Sequence, residues 1–172
     1  MRPAATIVVV LTLAACAGAG GSSGARQVEF AAAAAADNIL TTDYTALVEI
    51  TGVLLTPIAQ ADDGKHDEAL VRVDYTAAVL ETYLGEELET IIFSRYAARQ
   101  DAREDPSRGK WIVSLCRDRD GSYYLPEVGY ELPAHDAVLT VARQTRARIE
   151  SHELPLRRNE GSYACLADAP PR

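Results

Sequence analysis

The chain has 172 residues, 48% of them hydrophobic, and carries 17 lysines and arginines against 25 aspartates and glutamates, a formal net charge of −8 at pH 7. An acidic body of this kind repels phosphate, which argues against nucleic acid as a partner and against direct docking on anionic lipid headgroups. The length suits one core of ordinary domain size.

Arg2 supplies a short positive start, and Ala4 to Ala14 form an apolar run of the roughly 7 to 15 residues expected of a signal-peptide core. Spanning a bilayer takes about 20 apolar residues, so this run does not read as a membrane helix. It ends in Leu13-Ala14-Ala15-Cys16: a branched apolar residue, two small residues that fit a peptidase cleft, and a cysteine. The pattern resembles the bacterial lipobox. That resemblance implies residues 1–15 as a lipoprotein signal peptide, a diacylglyceryl thioether on Cys16, and often an acyl group such as palmitate on the new amino terminus. Two or three chains hold a membrane firmly where one gives marginal binding, at about 0.8 kcal/mol per buried CH₂. The implied location is the bacterial cell envelope, with the membrane as partner through the lipid. Some Gram-negative families retain lipoproteins in the inner membrane through an aspartate where this chain has Ala17. The periplasmic face of the outer membrane is therefore favoured if there are two membranes. The competing reading is an ordinary secretory signal with an incidental cysteine.

Gly18 to Gly24, GAGGSSG, has the composition of a flexible coil. Residues 16–25 read as lipidated cysteine and tether, and residues 26–172 as a single globular domain. With Cys16 taken by lipid, Cys116 and Cys165 remain as an even pair in a compartment where disulfides persist. They are expected to be bonded, two separate buried thiols being the alternative.

Arg26 to Asn38 contains six consecutive alanines, Ala31 to Ala36, and predicts a helix ending near Asp37-Asn38. It is expected to pack through Val28, Phe30 and Ile39, an unanchored extension of the linker being the alternative. From Tyr44 the period becomes two: Tyr44, Ala46, Val48 and Ile50 alternate with Thr45, Glu49 and Thr51, with Leu47 as the exception. Gly52 marks a bulge or sharp coil inside this strand, and Pro57 ends it. Ala61 to Glu68 form an acidic loop. In the next strand Val71, Val73, Tyr75, Ala77 and Val79 share one face, with Arg72, Asp74 and Thr76 on the other. Its length suits a coiled barrel. A turn is expected over Glu81 to Glu87 at Gly85, then β structure over Leu88 to Tyr96. Ala97 to Gly109 reads as a charged, exposed loop holding at most a helical turn. Lys110 to Arg117 and Ser122 to Leu125 form two β runs joined through Asp120-Gly121, a hairpin signal because glycine takes the positive φ the turn requires.

Past Pro133 the pattern is helical again, with Asp136 as expected cap. Val138, Val141, Ala142, Thr145 and Ile149 trace the buried face. Arg143, Arg146 and Arg148 read as a solvated basic face or, alternatively, a dock for an acidic partner. The tail carrying Cys165 is expected to be stapled back to the strand of Cys116.

Chemistry is sparse. There is no GxSxG elbow, HExxH, CxxC or glycine-rich phosphate loop. His152-Glu153 lacks a second histidine one turn on. Asp62, Asp63, His66, Asp67 and Glu68 fit no metal spacing and read as a solvated loop, a Ca²⁺ or Zn²⁺ site being the alternative. His135 beside Asp136 reads as a helix-start residue, and Ser94, Ser114 and His66 carry no local geometry for a triad. Neither catalysis, a metal nor a cofactor is expected.

The fold class is therefore mainly β with flanking helices: one small five-stranded OB-like barrel plus a C-terminal helix. Ala36-Asp37 before a first strand, then VRVDYTAAVLETYLG, ETIIF, Gly109 to Leu115 and Asp120 to Tyr124 together resemble the netrin-like domains related to tissue inhibitors of metalloproteinases. The resemblance covers about Ala36 to Ile149. It implies an OB-type barrel with a C-terminal helix. The zinc-chelating amine of the animal inhibitors is not expected to carry over, because Cys16 would be lipid-blocked and set apart by a linker. The function expected is a non-catalytic binding or inhibitory module acting on an envelope protein. The candidate surface is Ser122 to Tyr130, with Tyr123, Tyr124 and Tyr130 as aromatic anchors. Two alternatives stay open: the tyrosines cover the barrel end, or the protein is a structural or assembly lipoprotein with no small ligand.

Overall fold

The structure is a computed structural model, and it describes residues 22–58, 70–99, 102, 109–157 and 165. Leu13 to Cys16, the stretch read as a lipobox, and the acidic loop with His66 lie outside the described residues.

The elements in chain order are α1 (Ser22–Thr41), β1 (Tyr44–Pro57), β2 (Leu70–Leu84), β3 (Thr90–Ala98), β4 (Lys110–Arg117), β5 (Tyr123–Tyr124), β6 (Glu131–Pro133) and α2 (Asp136–Glu150). Five strands close a ring. β1 pairs antiparallel with β2, β2 with β3, β3 runs parallel to β5, β5 pairs with β4, and β4 returns to β1. β6 is a short addition to the outer side of β4, through Trp111 to Val113. This closed barrel with two helices is the fold class expected from the sequence.

Two long strands make the closure possible because they coil. The register of β1 against β2 slips between Thr45 and Ala46, between Leu47 and Val48, and between Ile50 and Gly52. Each slip is an extra residue that bends its strand and increases the local twist. The Gly52 bulge expected from the sequence is the last of these. Gly85, at φ +101°, turns β2 away beneath Tyr44; a Cβ there would sit 2.6 Å from that ring.

The lumen is filled by alternate residues of the strands. Tyr44, Ala46 and Val48 of β1 meet Val71, Val73, Tyr75 and Ala77 of β2, with Ile91 and Phe93 of β3 and Val113 and Leu115 of β4 closing the layer. Tyr75 and Phe93 stack at 5.0 Å between centroids. Burying one such side chain stabilises by about 1.5–3 kcal/mol over leaving it exposed, so the period-two pattern of β2 is the energetic basis of the barrel.

A second core lies outside the barrel wall. Leu47, Ile112 and Tyr83 leave the strands on the outer face and meet Ala32, Ala35 and Ile39 of α1 and Val138 and Ala142 of α2. This explains Leu47, the exception in the alternation of β1: both faces of that stretch are covered. The alanines let the helix backbones approach closely. Phe30 is 77% exposed and takes no part, and Val28 is only half-buried, so α1 packs through Ala32, Ala35 and Ile39.

Other expectations are corrected. α1 starts at Ser22 and runs to Thr41, taking in the last residues assigned to the tether. β2 continues through Leu84 where an acidic turn was expected, because Glu81 and Thr82 find cross-strand partners in Leu47 and Ala46. His135, not Asp136, is the N-cap of α2, with no side-chain cap bond. In the loop after β3, Ala102 is buried in the lumen cluster and not exposed. The basic face of α2 is not simply solvated. Arg143 grips Glu81 through Nε and Nη2 at 3.0 and 2.7 Å, and Arg146 donates to the Thr82 carbonyl and to Glu150.

Cys116 and Cys165 are disulfide-bonded, with Cα atoms 5.1 Å apart across a separation of 49 residues. The tail is also held at Arg157, whose backbone N–H donates to the Leu40 carbonyl at 2.7 Å and whose guanidinium pairs with Asp37.

Candidate functional site

β4 and β5 form the expected hairpin, with Cys116 opposite Tyr124 and Arg117 opposite Tyr123. Its turn is closed by Gly121 N–H on the Asp118 carbonyl at 2.9 Å, with Gly121 at φ +89°. Asp120 accepts from the Ser122 N–H at 2.8 Å, and that bond holds its carboxyl below the usual range.

The three tyrosines of the candidate surface are all half-buried and do not form one exposed aromatic patch. Tyr123 and Tyr124 are neighbours on a strand, so their side chains leave on opposite faces. Tyr123 packs against the lumen cluster with its ring 5.2 Å from Tyr44, the Arg117 guanidinium 5.6 Å over it, and its hydroxyl 3.3 Å from Glu86. Tyr130 also packs on the lumen cluster, and its carbonyl accepts from Ser114 at 2.8 Å. Burial pushes the hydroxyls of Tyr123, Tyr124 and Tyr130 up.

The hairpin does border a concave surface. Its turn stands beside the outer face of β2 and β3, and a groove of about 230 Å³ lies between them, lined by Arg72 and Asp74, Ile92 and Ser94, and Gly121 to Tyr123. Cross-strand register builds the floor: Asp74 lies opposite Ser94, Thr76 opposite Ile92 and Arg72 opposite Tyr96. Arg72 Nε donates to Asp74 Oδ1 at 2.8 Å, so the charges are paired and neutral as a unit. Ile92 is 63% exposed and Tyr96 59%. Large apolar residues on a solvent face, beside a paired charge and two serines, make a surface able to hold a ligand that is partly apolar and partly hydrogen-bonding. Sequence alternation placed Arg72, Asp74 and Thr76 on this face. It did not single out Ile92 and Tyr96, though apolar residues at outward positions of a strand were the available signal.

The remaining polar groups read as structure. Thr42 donates to the Asn38 carbonyl at 2.7 Å, and Thr42, Thr45 and Ser114 form a buried hydroxyl chain at 3.1 Å per step. Ser114 is thus engaged, while Ser94 lines the groove; His66 lies outside the described residues. Arg95 lies over the Tyr75 ring at 5.8 Å and faces Glu131 at 3.6 Å. Burial pushes the Glu131 carboxyl up, with Arg95 opposing. The Asp43 carboxylate and the sulfurs of Cys116 and Cys165 fall within 4.8 Å of one another, but the disulfide leaves no thiolate to ligate a metal.

No helix among the described residues is long and apolar enough to cross a membrane. No family model matches the chain, and a search of curated proteins finds no significant relative.

Proposed function

We propose that the protein is a lipid-anchored lipoprotein of the bacterial envelope that acts as a non-catalytic binding or inhibitory module. The observation that carries the binding half is the groove on the outer face of β2 and β3, where Ile92 lines it beside the Arg72–Asp74 pair and Tyr96 stays exposed on the same face opposite Arg72. The lipobox Leu13-Ala14-Ala15-Cys16 carries the anchoring half, by resemblance. A five-stranded ring with a C-terminal helix is what the netrin-like resemblance requires, and it supports that relation without carrying over the zinc-chelating mechanism. The net charge of −8 favours a protein partner over nucleic acid. The alternative, a structural or assembly lipoprotein without a small ligand, uses the same anchor and leaves the groove without a role.

Anchoring is tested by Cys16→Ala. The wild-type amino-terminal peptide should carry acyl mass and the protein should pellet with membranes, whereas the variant should be released. A variant that still pellets, with no acyl mass on the wild type, rejects the anchor. Binding is tested in the same cells by Ile92→Asp, which should reduce capture of a crosslinked partner while leaving the fold intact. Unchanged capture moves the site off the groove.

A further inference from the structure

β1 has two sides, and among the described residues only one is paired along its whole length. It pairs with β2 through Pro57, but its pairing with β4 stops at Glu49. From Ile50 to Thr56 the second side of β1 has no strand partner among the described residues. Outward N–H and C=O groups on such an edge are a template for another strand. Proteins usually blunt an edge of this kind with charge. Here Ile50 to Ile58 reads ITGVLLTPI, with no charged residue.

Side chains along this edge are exposed on both faces of the sheet: Leu54 at 63% on one, Val53 at 39% and Leu55 at 45% on the other. A membrane surface or a helix would cover one face only. A strand added in the plane of the sheet covers both. We propose that the occupant is a second copy of this chain, its β1 pairing antiparallel with β1 about a twofold axis at Leu54. In that register Leu54 meets Leu54 on one face, while Val53 meets Leu55 on the other, once on each side of the axis. Pro57 has no N–H and limits the ladder to the stretch before it. Charge selects the same occupant. Two bodies of −8 repel each other, and this uncharged stretch is where they approach at least cost. It offers nothing to the basic partner that such an acidic chain attracts elsewhere. The proposal is independent of the lipobox and of the groove.

Directly opposed residues in an antiparallel pair have Cα atoms about 4.5–5.5 Å apart, inside the span of about 4.4–6.8 Å that a disulfide bridges. The test uses the full chain as cells make it, purified in mild detergent, with each variant checked for fold by circular dichroism. Sedimentation equilibrium should show mass rising with concentration toward twice that of one chain, and Leu54→Lys should hold it at one. Under mild oxidation Leu54→Cys should give at least about tenfold more linked dimer than wild type or Ile92→Cys, because only the first places its sulfur at the twofold. A single-chain mass at all concentrations, a dimer that survives Leu54→Lys, or equal crosslinking of Leu54→Cys and Ile92→Cys overturns the proposal. Crosslinking of Leu54→Cys in cells only to a different protein does so too.

Discussion

β1 and β2 run through two different environments. In their closed half, Tyr44 to Glu49 against Ala78 to Leu84, the inner face packs on the lumen and the outer face is covered by α1 and α2. In the open half, Ile50 to Pro57 against Val71 to Ala77, the inner face of β2 is covered, its outer face borders the groove, and one edge of β1 has no strand partner among the described residues. The same alternation therefore means different things along one strand. An apolar residue on the outer face is core in the closed half, as with Leu47, and accessible surface in the open half, as with Leu54. Stability is concentrated in the lumen and the helix-covered wall, and the recognition we propose falls to the open half.

The largest expected effect tests the face they share. Val73 is fully buried in the lumen, so Val73→Asp should put an unpaired charge among apolar side chains and abolish the cooperative unfolding transition. Thr76→Asp, on the outer face one register step from the groove, should change stability by no more than ~0.5 kcal/mol. A folded Val73→Asp protein, seen by circular dichroism and denaturant titration, breaks the assignment of faces.

Next in size is the staple. Cys165→Ser opens a crosslink of separation 49 and should cost about 2–4 kcal/mol by denaturant titration. A loss near zero means that Arg157 and its contacts with α1 hold the tail unaided. The contrast between the two halves is then sharpened by a matched pair. Leu47→Ala should cost about 2–3 kcal/mol, since Leu47 is 7% exposed beneath the helices, whereas Leu54→Ala should cost ~0.5 kcal/mol or less in dilute solution. Similar costs at both positions would show the open half to be covered.

The smallest effects are in pH dependence. The Arg143 guanidinium bonded to Glu81 holds its carboxyl below the usual range. The stability this gives is present above the ordinary carboxylate pKa and is lost as pH falls through the lowered value. Glu131 has the opposite sign, because burial raises it: the folded state holds that proton more tightly. Its share of stability is present in acid and lost as pH rises through the raised value. Glu81→Gln should flatten the acid limb of stability against pH, and Glu131→Gln the limb just above the ordinary carboxylate range. An unchanged profile in either variant removes that group from the linkage.

Much of the fold was legible in the sequence, because hydrophobic period two is imposed by burial itself: the inner faces of β1 and β2, the Gly52 bulge, the Asp120-Gly121 hairpin and the apolar stripe of α2 all follow from local pattern. What escaped was set by distant neighbours. β6 is three residues ending in Pro133, too short to show a period, and exists because Ile112 offers Leu132 an edge. Local sequence marks Glu81 as the start of a turn, but cross-strand pairing with Leu47 and the bond from Arg143 place it in β2. The tyrosines stand close together in the sequence, yet alternation within a two-residue strand separates Tyr123 from Tyr124. Ile92 and Tyr96 gained meaning only when β3 was set beside β2 and the hairpin turn closed the groove.

The most direct test of an open, partner-facing half is photocrosslinking in cells that make the protein, with the photoreactive residue placed at Ile92 or at Thr140, an exposed position on α2. The expected result is a discrete adduct of higher mass from Ile92 and none from Thr140. Equal labelling from both positions, or no adduct from Ile92, contradicts recognition through the open half.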